Sequence, residues 1–205
     1  MIFDLIYLLL LLTGIIILVE NRLSRQIIVI AVQGFLLCGS VFQVYEYTEF
    51  HFWMLIVLIL TFKTFLTPYI LIVSLKRLRM IEHTKPRFGY FITLLLFVPG
   101  LFAVLKMSNA MKELPVQIDK VGLIYVLLLI YLGILSFIAR RHWVVLIIGF
   151  VMFENGVFLL TLILNKGLPF GTELIAFVDA LLVIVAAVSL QTRADFYKNL
   201  VKDRK

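Results

Sequence analysis

The chain has 205 residues, 63% of them hydrophobic and only 15% charged, with a net charge of +7. Soluble proteins are about 45–50% apolar and about 25% charged, so a mean hydropathy of +1.10 excludes a water-soluble globule of this size. A bilayer-crossing helix takes about 20 residues, which leaves room for about seven.

The first apolar run, residues 2–19, opens on Met1-Ile2-Phe3-Asp4. It lacks the basic start and the small-residue cleavage site of a secretory signal, so it is expected to stay as the first helix. Further apolar runs follow at 26–44, 52–75, 89–105, 121–139, 143–164 and 174–190. The charge sits between them, at Glu20 to Arg25, Lys76 to Arg87, Lys106 to Lys120 and Arg140-Arg141-His142. No run alternates polar with apolar as barrel strands do. Since only helices or closed barrels satisfy the backbone in hydrocarbon, the expected fold class is all-α: a polytopic membrane protein of about seven transmembrane helices. The run 89–105, at 17 residues, is the weakest member of that set. The aromatic residues Tyr45, Tyr47, Phe50, Phe52 and Trp53, and Trp143, read as interface anchors.

Basic residues set the orientation. One set of connecting segments holds Arg22, Arg25, Lys76, Arg77, Arg79, Lys85, Arg87, Arg140, Arg141, Arg193, Lys198, Lys202, Arg204 and Lys205; the other holds Lys106, Lys112, Lys120 and Lys166. The positive-inside bias then places the N-terminus outside and the C-terminus in the cytoplasm, in a multi-pass protein of the cell membrane. The same bias accounts for the basic total without nucleic acid as a partner.

The two ends of the chain show a faint repeat. Leu5-Ile6-Tyr7 opens the first run as Leu123-Ile124-Tyr125 opens the fifth. Gln33-Gly34 answers Glu154 and Gly156, and Val73-Ser74-Leu75 answers Val188-Ser189-Leu190. Duplication and chance similarity in Leu-rich sequence both remain open. The organisation expected is an N-terminal three-helix unit (1–88), a joining helix with an outside loop (89–120), and a C-terminal three-helix unit with a cytoplasmic tail (121–205).

Three charged residues lie well inside apolar runs: Lys63, Glu154 and Asp179. Each costs roughly 2.5–3.5 kcal/mol at a helix centre, so each needs a partner, water or a change of protonation. Two readings compete. A buried Lys–carboxylate pair would fix helix packing, whereas a polar path would move protons, its groups poised by desolvation. Glu173 and Asp4, at run ends, are weaker candidates; Gln33, Asn155 and Gln191 are either links in a hydrogen-bond chain or ordinary interhelical contacts. Pro68 frees a backbone carbonyl and should kink the third helix near Lys63. Gly149 and Gly156 allow close helix approach.

Other chemistry lacks support. Cys38 is the single cysteine, and no Walker loop, GxGxxG, CxxC or HExxH occurs, so neither cofactor nor metal is expected. His51, His83 and His142 fall in loops or at run ends, unlike the mid-membrane pair of a bis-histidyl haem. The connecting segments are too short for an extramembrane catalytic domain, so a self-contained enzyme is not expected. The tail Ala194–Lys205 suits a membrane surface or a cytoplasmic partner.

The stretch Arg141 to Arg193 resembles the hydrogenase-4 membrane component E family, relatives of the small K-type chain of respiratory complex I. The likeness rests on Gly149-Phe150-x-x-x-Glu154-Asn155-Gly156, then Pro169, Glu173 and Val178-Asp179-Ala180, with Lys63-x-x-x-x-Pro68 upstream. It implies an accessory subunit, without a redox centre, of a group 4 nickel–iron hydrogenase or formate hydrogenlyase complex. Its partners would be antiporter-like membrane subunits and the other subunits of that assembly. It also implies that Glu154 and Asp179 match the proton-path carboxylates of K-type chains, whose usual Glu is replaced at position 179 by Asp. Residues 1–88 have no counterpart in those chains. The expected function is therefore proton transfer along the membrane arm of such a complex, together with its assembly. A stand-alone proton- or cation-coupled transporter is the competing expectation.

Overall fold

Runs of Leu, Ile, Val and Phe with no proline or charge to interrupt them form helices, because a helix satisfies its own backbone wherever water is excluded. The computed structural model describes residues 2–43, 47–48, 50–77, 83–87, 89–110, 119–140 and 142–164. Its helices are α1 (Ile2–Val19), α2 (Leu23–Val41), α3 (Phe50–Leu58), α4 (Thr67–Arg77), α5 (Gly89–Leu95), α6 (Phe97–Ala110), α7 (Lys120–Ala139) and α8 (Trp143–Leu164). A π-helical segment, Ile59–Leu66, joins α3 to α4 without a break. Among the described residues five helical stretches of 19 to 25 residues are long and apolar enough to cross a bilayer, and α1 is a shorter apolar helix beside them. The chain is all-α and has the build of a membrane protein. The run 174–190, read as a seventh helix, lies outside the described residues.

The fourth stretch is longer than the run 89–105 suggests. Helix α6 continues past Lys106 to Ala110, since a lysine near a helix end keeps its stem in the apolar layer and its ammonium in water. At the junction of α5 and α6, Pro99 has no N–H to give to the preceding turn. The hydroxyl of Tyr131 donates to the Leu96 carbonyl there, at 2.7 Å. Gly100 makes room for that ring; a Cβ at this position would overlap the Tyr131 Cε1 atom, at 2.0 Å.

Close approach through small residues sets the helix pairs. Gly133 faces the Phe153 backbone, Gly149 faces Ser136 and Gly156 faces Ile130, so α7 and α8 run antiparallel in tight contact. Gly14 of α1 meets Leu129 and Leu132 of α7 and Met152 of α8. Tyr7 of α1 lies against Gly122 of α7, and the pairings 7 with 122 and 14 with 129 make α1 and α7 parallel. Helix α2 runs antiparallel to α1, with Gln26 bonded to the Ile17 carbonyl and Tyr7 donating to Gln43. Phe52, read above as an interface anchor, is instead a core residue at 1% exposure. Its ring stands edge-on to Phe42 and Trp53, while Tyr47, Phe50 and Trp53 stay exposed.

Three basic connecting segments gather at one end of the bundle. Thr84 N–H donates to the Asn21 carbonyl (2.9 Å) and Arg87 N–H to the Ala139 carbonyl (2.7 Å). Arg140 ties them together. From Nη1 it donates to the Thr84 carbonyl (3.0 Å) and hydroxyl (2.9 Å), and from Nη2 to the Leu18 (2.8 Å) and Glu20 (2.7 Å) carbonyls. At 2% exposure it is a buried knot, a correction to its reading as a mere topological label. Gln26 donates to Ile17 and Glu20 carbonyls as well, so two side chains satisfy carbonyls that the end of α1 would otherwise leave orphaned. The cation also opposes the negative end of the helix dipole.

Candidate functional site

The site begins with the helix that carries Lys63. Pro68 cannot donate to the carbonyl four residues back, and its ring crowds that carbonyl. The preceding turns widen to i→i−5 pairing, as in the bond from Thr67 N–H to the Phe62 carbonyl. Thr64 Oγ1 likewise donates to the Ile59 carbonyl five residues back, at 3.4 Å. The expected disturbance near Lys63 therefore takes the form of an eight-residue π segment. Such segments redirect side chains and are frequent at functional sites.

Helix α2 accepts the widened backbone through Gly34. A Cβ at that position would stand 3.0 Å from both the carbonyl carbon and the oxygen of Lys63. With the two backbones in contact, Lys63 is carried into the interior at 5% exposure. Its Nζ donates to Oδ1 of Asn155 on α8, at 2.9 Å, and lies 5.5 Å from the centroid of the Phe158 ring.

From there a chain of side chains crosses the bundle. Asn155 Nδ2 donates to Gln33 Oε1 on α2 at 3.0 Å. Gln33 Nε2 donates to Thr13 Oγ1 on α1 at 3.2 Å and to the Leu10 carbonyl at 3.4 Å. Thr13 Oγ1 donates in turn to the Leu10 carbonyl at 2.6 Å. Thr13, Gln33, Lys63 and Asn155 are all buried, and each lies near the middle of its helical stretch. The chain is thus a transverse layer at half-depth.

Its direction is set at both ends, by Lys63 and by the Leu10 carbonyl, which can only accept. An ammonium has donors and no acceptor, so the Asn155 oxygen must face it and the Asn155 N–H must point away. That N–H requires the Gln33 oxygen, which turns the Gln33 N–H toward α1. Every donor points from Lys63 to Thr13. Amides transmit this polarity but are poor proton carriers; the ionisable groups here are Lys63 and the adjacent Glu154.

Glu154 is buried at 6% exposure, one residue before Asn155 on α8. The structure thus brings Lys63, Asn155 and Gln33 into direct contact, sets Glu154 beside them in sequence, and places Pro68 at the start of α4. Asp179, Glu173 and Gln191 lie outside the described residues. Asp4, read as a weak candidate, is half-buried in the first turn of α1, at the opposite end from Arg140. Among the described residues no group of three or more His, Cys, Asp or Glu side chains has the geometry to hold a metal. No family model, curated protein or solved structure matches the chain.

Sequence reasoning missed Thr13 and Arg140. Thr13 is one of few polar residues in α1 and recurs, with Tyr7, on the side turned to α2, which is a usable signal. Arg140 carries none that separates it from Arg141.

Proposed function

We propose that the chain is a non-redox, multi-pass subunit of the cell membrane in a hydrogenase-4-like respiratory complex. It contributes to proton transfer along the membrane arm and to assembly with antiporter-like partners. The observation that carries this reading is the Lys63 ammonium bonded to Asn155 at half-depth, next to the buried Glu154. Charged groups are expensive in hydrocarbon and are retained there for transport or relay work. In this reading Glu154 and Asp179 pass protons, and Lys63 biases their protonation by its charge.

Exposed Arg22, Arg25, Lys85 and Arg87 at the Arg140 end support a cytoplasmic location for that end, with the N-terminus outside. The resemblance over Gly149 to Gly156 supplies the complex. Replacing Glu154 by Gln is expected to spare assembly and reduce complex-linked proton translocation. Unchanged pumping by a correctly assembled Glu154→Gln complex would refute the role.

The π interruption of the third stretch favours a second reading. Secondary transporters build midplane sites on discontinuous helices, so a stand-alone proton- or cation-coupled carrier would also use Lys63 and Glu154. Gentle detergent purification separates the two. Recovery as a lone chain active in liposomes sinks the subunit reading, and co-purification with hydrogenase subunits sinks the carrier.

A further inference from the structure

An amide beside a lysine can favour either of its protonation states. With its oxygen toward Nζ it accepts from the ammonium; with its nitrogen toward Nζ it donates to the lone pair of the neutral amine. Asn155 shows its oxygen to Lys63 at 2.9 Å. Nothing intrinsic to asparagine selects that face. Besides Lys63 itself, the selection comes from the other side, where Gln33 Oε1 accepts from Asn155 Nδ2. Gln33 is itself oriented by Thr13 and the Leu10 carbonyl, both of which take its N–H groups.

We infer that Gln33 is a positioning residue for Lys63: by fixing the face of the Asn155 amide, it keeps toward Nζ the oxygen that favours the charged form. Gln33 does not touch Lys63 through its own amide; it acts through Asn155, and Thr13 acts through Gln33. The other titratable groups on the elements packed around the π segment are Glu154 on α8, Arg25 and Cys38 on α2, His51 on α3, and Tyr69, Lys76 and Arg77 on α4, the last two at its far end. The Cys38 thiol is turned back onto the Gly34 carbonyl, and Tyr69 is exposed, so on these elements Glu154 is the one buried acid whose protonation a fixed positive charge at Lys63 would bias. The inference rests on Lys63 serving the proposed proton path by its charge.

The test is a pH titration of the full chain in phospholipid nanodiscs, with lysine labelled by carbon-13 at Cε and the Lys63 signal assigned by its absence in Lys63→Met. Gln33→Met removes the acceptor, frees Asn155 to turn its N–H toward Nζ, and is expected to lower the Lys63 midpoint. The expected shift is about one pH unit or more, tenfold in the ionisation constant, the scale of one charge-assisted hydrogen bond. Gln33→Glu keeps an acceptor toward Asn155 at nearly the same size and is expected to leave Lys63 charged over at least the wild-type range. Thr13→Val is expected to move the midpoint in the direction of Gln33→Met, by less, because the Leu10 carbonyl still orients Gln33. A Lys63 signal in Gln33→Met that stays charged over as wide a range as wild type overturns the inference. So does a lowered midpoint in Gln33→Glu, which is nearly isosteric and keeps the test open if Gln33→Met fails to fold. The titration needs no proton pumping, so normal pumping by Glu154→Gln would overturn the proposed function and leave this result readable.

Discussion

Lys63 Nζ donates to Asn155 Oδ1 at 2.9 Å, joining residues 92 positions apart in the chain. The bond ties the π segment to α8, and the bond from Asn155 to Gln33 ties α8 to α2, so one amide holds three elements in register. Asn155→Leu keeps the volume and deletes both bonds, leaving the buried Gln33 oxygen without its donor. A loss of about 1–3 kcal/mol is expected for each polar group so stranded, read as a lower midpoint of thermal unfolding in detergent. Asn155→Asp should cost less, since a carboxylate still accepts from Lys63. It cannot donate to Gln33, so the Gln33 amide must invert and give up the Leu10 carbonyl, which can only accept.

Gly34 and Gly39 lie on the same helix and make a paired test. A Cβ at Gly34 meets backbone atoms of Lys63 at 3.0 Å, whereas a Cβ at Gly39 meets only the Cδ1 tip of Ile6 at 3.0 Å. Backbone cannot swing aside; an isoleucine tip can. Gly34→Ala is therefore expected to push the π segment from α2 and to destabilise by about 1–3 kcal/mol, the usual cost of overpacking. Gly39→Ala should stay near wild type. Thermal unfolding of the two variants side by side decides it, and equal effects would contradict the backbone contact.

The limits of the helices were legible because apolar runs end where charges begin, and α8 coincides with the run 143–164. The errors share a cause: a charged or amide side chain near a helix end can belong to either phase. Lys106 closes an apolar run yet sits inside α6, and Arg25, placed before the run 26–44, lies within α2. Pro68 marked where the third helix would be disturbed. The form of the disturbance depended on Gly34, a residue 34 positions before Pro68 in a different helix. At the site, expensive charges flagged Lys63 and Glu154 by their positions inside apolar runs. Thr13 stayed hidden because a hydroxyl is cheap to bury when it bonds its own helix, as Thr13 does to Leu10.

Arg140 offers a prediction about the opposite kind of group, a cation whose role is structural. Its two terminal nitrogens serve four oxygens on two other segments, and burial pulls its pKa below the ordinary arginine value, partly offset by Tyr90 and Glu20. A lysine carries the charge on one nitrogen and lacks the planar fork. Arg140→Lys is thus expected to lose about half the bonds and to destabilise by about 2–3 kcal/mol, with Arg140→Met losing more. Amide hydrogen exchange should quicken at Thr84 and Arg87, whose N–H groups bond to Asn21 and Ala139 beside the knot. Unchanged exchange in Arg140→Met would remove the knot from the account.

His142 supplies the pH dependence. It precedes α8, stacks on Trp143 with centroids 6.0 Å apart, and its buried Nδ1 meets no hydrogen-bond partner among the described residues. Burial disfavours the imidazolium and holds the folded-state pKa below the ordinary 6.5. Because the unfolded chain takes up this proton more readily, the contribution of His142 to stability is complete above pH 6.5. It is lost as pH falls from 6.5 through the lower folded-state value. Unfolding midpoints measured between pH 8 and pH 5 should therefore decline on the acid side, and His142→Phe, which keeps an aromatic face against Trp143, should flatten that part of the decline. An equal acid slope in wild type and His142→Phe would show that the proton is taken up elsewhere.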